Sequence, residues 1–254
     1  MIETTIIEEK PIKMKNPILI EGLPGIGLVG KIAADHMIAE LKAERVAQLI
    51  SPHFPHQVIM QRNGVMRMIK NRFFYVKGKK NDLLILVGDV QAVTSEAQYE
   101  VTGKMLDYCQ KKGVKLMITL GGYGTGKVQP KPRIFGIVTD KPMIEDYKKY
   151  GVIFGESKGS IIGAAGLLLG LGKIRKIPGV CLMGETHGGF VDPKSAQALL
   201  EVLCKVLDIK IDTKKLDERA KESESFAKKM EKEAMAAKGM PMPAGGKHDL
   251  SYIR

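Results

Sequence analysis

The sequence predicts an α/β fold: a mostly parallel mixed sheet with helices on both faces, plus a C-terminal helical extension. Three observations predict it. Apolar runs of strand length alternate with runs at helical spacing. One of the strands, Leu83–Val87, is apolar throughout, as a strand buried on both faces is. Polar and glycine-rich loops gather after the strands, at residues 22–27, 88–95, 121–128 and 184–191. That carboxyl edge is where ligands of α/β proteins sit.

The elements follow in order. Ile18–Ile20 reads as a strand. Leu28 to Leu41 reads as a helix, with Ile32, Ala33, His36, Met37 and Leu41 on one face. Val46–Ile50 is a strand. Val58–Gln61, Val65–Ile69 and Arg72–Val76 form a short-strand meander, turned at Asn63-Gly64 as in a type I′ hairpin. After Leu83–Val87, Thr94-Ser95-Glu96 starts a helix that runs to about Gln110. Lys115–Leu120 is a strand ending in Gly121-Gly122-Tyr123-Gly124-Thr125-Gly126. Arg133–Thr139 is a strand, and Pro142–Lys149 a short helix. Ile161–Leu171 is a glycine-studded helix, apolar all round, which implies burial on every side. Val180–Met183 is the last strand. Asp192-Pro193 then starts the last core helix, Lys194–Val206, with Asp as cap and Pro as first helical residue.

The composition changes after Ile209. The expected organisation is an α/β domain over 1–209, a charged helical extension over 210–238, and a flexible linker with a terminal peptide over 239–254. In the extension, Leu216, Ala220, Ser223, Ala227, Met230, Ala234 and Ala237 step by four and three. That stripe fits either a weak coiled contact or a solvated helix lying on its own domain. Gly239 to Gly246 reads as linker.

Composition bounds the function. The chain has 254 residues, 44% hydrophobic, with a formal net charge of +12. No apolar run reaches the 18 or so residues a membrane span requires. The acidic start Met1-Ile2-Glu3 does not resemble a signal peptide. Cys109, Cys181 and Cys204 are isolated, as buried thiols of a reducing cytoplasm are. The positive charge suits an acidic partner surface. Specific nucleic-acid binding is not expected, because no basic motif carries interleaved aromatics.

Candidate chemistry is sparse. Gly25-Ile26-Gly27-Leu28-Val29-Gly30 spells a dinucleotide fingerprint, and Gly25 to Lys31 spells most of a Walker loop. Each lacks its decisive residue. Ile32 stands where Mg²⁺ needs a hydroxyl, and no carboxylate occupies residues 49–52 for a ribose. A tight βα turn that brings helix and strand close is the favoured reading. Asp89 sits where a Walker-B carboxylate would, and Gly121–Gly126 could cradle an anion or form a mobile interface loop. Together these give an alternative: a nucleotide- or nucleoside-binding phosphorylase or hydrolase. His187, between Glu185 and Asp192, is an acid–base candidate without a nucleophile. His53 and His56 lack a third ligand for zinc. No catalytic residue, cofactor or metal is therefore assigned.

As a set, Glu21-Gly22-Leu23-Pro24-Gly25-Ile26-Gly27, Gly88-Asp89-Val90-Gln91 and Gly121-Gly122-Tyr123-Gly124 are similar to the PAC2 family. So are Gly155-Glu156, Gly166-Leu167-Leu168-Leu169-Gly170 and Glu185-Thr186. The likeness covers about residues 15 to 207 and is greatest to archaeal homologues of proteasome assembly chaperones. It implies a three-layer, phosphorylase/hydrolase-like α/β fold without established catalysis. It also implies homo-oligomers larger than a dimer that bind proteasome α subunits in the cytoplasm. The family's ATP-grasp label finds no support in loop 21–31. Proteasome partners of this kind often end in a hydrophobic residue, a tyrosine and any residue. By that likeness Leu250, Ser251, Tyr252, Ile253 and Arg254 are the partner-binding residues, with Arg254 supplying a terminal carboxylate. Tyr252 takes the hydrophobic position and Ile253 the tyrosine position. Docking is expected; gate opening leans on the tyrosine that position 253 lacks.

Overall fold

Residues 3–156, 159–216 and 218 are described by a computed structural model. The strands are β1 (Thr5–Glu8), β2 (Ile18–Gly22), β3 (Glu44–Ile50), β4 (Val58–Met60), β5 (Met66–Met68), β6 (Asn71–Val76), β7 (Leu83–Gly88), β8 (Leu116–Gly124), β9 (Ile134–Val138) and β10 (Gly179–Thr186). The helices are α1 (Val29–Glu40), α2 (Ser95–Lys111), α3 (Met143–Lys148), α4 (Ala164–Ile174) and α5 (Pro193–Leu207). Eight strands form one mixed sheet in the order β1-β3-β6-β7-β2-β8-β10-β9, while β4 and β5 pair apart.

Period-two alternation divides the core into two layers. Ile18, Ile20, Ile85, Ile118, Val180 and Leu182 meet α1 and α5 on one face. Leu19, Leu84, Leu86 and Met117 meet α2 and α4 on the other. The result is the expected three-layer α/β arrangement. The strands at its centre, β2, β7 and β10, are buried at every position and paired in parallel with their neighbours β7–β2–β8–β10. The parallel pairing stops there. β6, β3 and β1 add antiparallel strands on one side, and β9 adds one on the other. The segment from β6 to β7 is too short for a crossover helix, so that pair must run antiparallel.

Several expectations change. The meander splits: β6 joins the main sheet, and β4–β5 stands as a separate ribbon. Its turn is not type I′. Gly64 alone is left-handed (φ 80°), and the Gly64 amide donates to the Gln61 carbonyl while Gln61 pairs with Val65. That is the three-residue loop, with glycine at its left-handed position. β1 lies where the sequence shows only an acidic start; with four residues its alternation is too brief to stand out. β8 continues through Gly121-Gly122-Tyr123-Gly124, so this stretch is strand and not an anion-cradling loop. The apolar helix begins at Ala164, because Gly163 (φ 90°) breaks the run. The single chain does not bury it on every side: Ile174 is 78% exposed, and Ile162, just before it, 88%.

The two expected caps form. The Thr94 hydroxyl accepts from the Ala97 amide at 3.3 Å, and the Asp192 carboxylate from the Ser195 amide at 2.9 Å. The extension begins helical at residues 214–216, with Leu216 buried in the α1/α5 layer. The first residue of its apolar stripe thus lies on its own domain. The rest of the expected helix and the peptide Leu250–Arg254 lie outside the described residues.

Candidate functional site

While Gly166–Gly170 lies within α4, most of the family-like motifs converge on the carboxyl edge of the sheet. The glycine loop there is filled by protein. A Cβ at Gly30 would lie 2.2 Å from the Leu120 carbonyl oxygen, and one at Gly22 2.5 Å from Ala34 Cβ and from the Gly30 carbonyl oxygen. A Cβ at Gly122 would lie 2.3 Å from the Ile26 carbonyl oxygen. These glycines let α1 and its preceding turn press onto the sheet. The Gly27 carbonyl accepts from the Asp192 amide at 2.9 Å. The Gly25 carbonyl likewise accepts from the Leu28 amide at 2.9 Å, so these loop carbonyls are used inside the fold.

The residues expected to make an anion site are also occupied. Lys31 pairs with Asp35 one turn along α1. Asp89 accepts from Arg67 at 2.5 and 3.1 Å, from Arg72 at 3.2 Å and from the Lys70 amide at 3.1 Å. Burial opposes its charge, but Arg67 and the other donors outweigh burial and hold the carboxyl below its ordinary range. A carboxylate bound in this way has no free side for Mg²⁺. Lys31 and Asp89 are thus tied up in ion pairs, and Gly121–Gly124 is strand.

His187 stacks on Phe190 at 4.8 Å, and its Nδ1 accepts from the Gly189 amide. Its two flanking acids are engaged elsewhere. Asp192 caps α5 and accepts from the Thr186 hydroxyl at 2.7 Å. Glu185, 2% exposed, takes both forks of Arg133 at 2.9 and 3.0 Å, which holds its carboxyl below its ordinary range. His53 pairs with Glu100, and no cluster of metal-ligating side chains occurs among the described residues.

Two tying residues escape sequence reading. Arg133 links Glu185 to Glu156, which joins two motifs far apart in sequence. Gln91, visible only as a motif member, donates to the Pro24 carbonyl at 2.7 Å and accepts from the Ala164 amide at 2.9 Å. It fastens loop 22–27 to the start of α4. A Cβ on Gly163 would lie 2.5 Å from its Oε1, so this glycine is needed for the tie.

Glu21 is the most unusual group here. It is the second-last residue of β2, beside Thr119, and is 1% exposed. Its Oε1 accepts from the Leu23 amide at 2.9 Å, while Oε2 has no protein partner. Burial, opposed by the Leu23 and Leu120 amides, pushes its carboxyl up to about 7. Around the same edge Ile26, Val93, Ile162 and Val191 are exposed.

PbaB of Pyrococcus furiosus, described as an archaeal proteasome activator, superposes with a TM-score of 0.86 at 46% identity, covering 91% of this chain and 100% of that one. PbaA of the same organism, described as an archaeal homologue of proteasome-assembly chaperone, gives 0.75 at 26% identity, covering 93% and 94%. An uncharacterized protein of Methanocaldococcus jannaschii is 36% identical over 243 residues, 94% of this chain and 93% of its own. The PAC2 family model matches residues 19–231, and the chain belongs to the PAC2 family.

Proposed function

We propose that this chain is a non-enzymatic proteasome assembly chaperone or adaptor that acts in the cytoplasm. It docks on the proteasome α-ring as a homo-oligomer larger than a dimer. The observation that carries this reading is the likeness to PbaB, over 91% of this chain at 46% identity. The exposed Ile26, Val93, Ile162 and Ile174 support self-association.

The segment Leu250, Ser251, Tyr252, Ile253 and Arg254 makes the α-subunit contact in this proposal. One tail alone binds weakly, because a short peptide buries little surface against the entropy lost on docking. Several tails on one oligomer raise affinity by roughly 10²–10⁴ through avidity. Co-purification with α subunits tests the proposal. Full-length protein binds at physiological salt; deletion of residues 250–254 abolishes or greatly weakens binding while light scattering shows the oligomer intact. Absence of binding by the full-length protein refutes the reading, and unchanged binding after deletion moves the contact to the core. PbaB's description as an activator favours a second outcome: faster peptide hydrolysis by the bound proteasome. Ile253→Tyr, which puts tyrosine at the penultimate position, raises affinity and that rate.

A further inference from the structure

The β4–β5 ribbon presents its apolar face outward. Val58 pairs with Met68 and Met60 with Met66, so these four side chains share one face. Met60 is 89% exposed, Met66 65%, and Val58 and Met68 about half. The opposite face carries Ile59, packed on the α2/α4 core layer, and Arg67, held by Asp89. Charge points in and apolar surface points out. A two-stranded ribbon alone is marginal in water; here Ile59 and the Arg67–Asp89 pair fix its orientation. With Val65, its exposed side chains offer on the order of 500 Å² of apolar surface, the size at which such a patch marks a contact.

The charge along the ribbon and its flanks is mostly basic. Residues 45–72 contain five Lys and Arg and no Asp or Glu. Arg45 reaches back to Glu9, and Arg67 and Arg72 share Asp89. The Lys70 ammonium donates to the neutral Gln48 side chain at 2.6 Å, and the repulsion of Arg45, Arg67 and Arg72 acts on it beside the attraction of Glu9. Arg62, at the tip, has no carboxylate partner among the described residues. The ribbon is thus an apolar face with a basic rim.

We propose that this ribbon docks an acidic amphipathic segment of another protein, one with apolar side chains on one face and carboxylates at its margins. Methionine thioethers adapt to varied apolar partners, and the rim selects for negative charge. A second copy in two-fold contact would set the acid-free segment against itself. An anionic membrane would match the charge, but residues 58–68 hold no Trp, Tyr or Phe to seat at its interface. The proposal does not rest on the α-ring reading, and deletion of residues 250–254 leaves it testable.

The probe is a helical peptide with Leu and Met on one face and Glu at both margins. Its control has the same apolar face with Lys for Glu. Fluorescence anisotropy with the full-length protein is expected to show the Glu peptide binding at least tenfold tighter than the Lys peptide, and more weakly as salt rises. Met60→Ser with Met66→Ser lowers that affinity tenfold or more. Both side chains are exposed, so the thermal melt stays unchanged. Arg62→Glu narrows the preference between the two peptides. Equal affinity for both peptides, no binding of the Glu peptide, or an unaffected double variant overturns the proposal. So does binding to phosphatidylserine vesicles alone, which assigns the ribbon to membranes. Loss of self-association in the double variant without peptide binding assigns it to a second copy.

Discussion

Replacing Glu21 by Gln should flatten the pH dependence of stability between about pH 4.5 and 7. The carboxyl is 1% exposed and its Oε2 has no protein partner, so the fold holds it protonated up to about pH 7. In the unfolded chain it ionises near its ordinary 4.5. The sign follows from linkage. Below 4.5 both states are protonated and the contribution is fully present. Between 4.5 and about 7 only the unfolded chain releases the proton, so stability falls as pH rises. At about 1.4 kcal/mol per pH unit, the loss approaches an upper limit of about 3 kcal/mol near pH 7 and then levels off. Gln keeps the acceptor for the Leu23 amide and leaves an unpartnered N–H where the acid leaves an unpartnered O–H, so the offset at low pH is small. Urea unfolding followed by circular dichroism at pH 5, 6, 7 and 8 measures the difference between the two proteins, and all other titrations cancel. Asp89 and Glu185, both held below their ordinary range, act in a lower window in any case. Two pH profiles separated by a constant offset would refute the reasoning. A variant that loses stability at pH 8 would show that the fold needs the carboxylate charge.

Gly30→Ala should cost more than about 2 kcal/mol, because its Cβ meets backbone at Leu120 and not a movable side chain; a thermal melt checks this. Lys31→Ala removes one helix-surface ion pair and should change stability by less than about 0.5 kcal/mol. A thermal-shift screen with phosphate, ATP and NAD should be flat for that variant and for the parent. Stabilisation that saturates and that Lys31→Ala abolishes would restore the phosphorylase-like alternative. Asp89→Asn should destabilise by about 1–3 kcal/mol at pH 7, since Arg67 and Arg72 lose their shared carboxylate. Asp89 is held below its ordinary range, so its contribution is present above that range and is lost as pH falls. The difference between variant and parent should therefore shrink from pH 7 to pH 3, as measured by denaturation at both.

Much of the fold was legible from local pattern. Leu83–Val87 reads as a doubly buried strand because its burial needs no partner knowledge, and the structure buries β7 at every position. Thr94 and Asp192 read as caps because capping acts within three residues. The failed nucleotide fingerprint read correctly as a tight turn for the same reason: the missing hydroxyl at Ile32 is a local fact.

What the tertiary structure decided depends on distance in sequence. Periodicity reports that β6 is a strand. It does not report that β6 leaves its neighbours β4 and β5 to pair between β3 and β7. A glycine run reads as loop or strand until its neighbours are known; Gly121–Gly124 is strand because β10 pairs along it. The apolar stretch at 161–171 reads as fully buried by composition, yet within the single chain Leu168 and Leu169 are buried while Ile162 remains exposed. Arg133 and Gln91 carry no local signature, because their partners lie up to 73 residues away. Sequence spacing encodes which groups share a face over a few residues. Which faces meet, and which polar groups lose water together, is set by the chain's return from far away, and only the packed sheet holds that information.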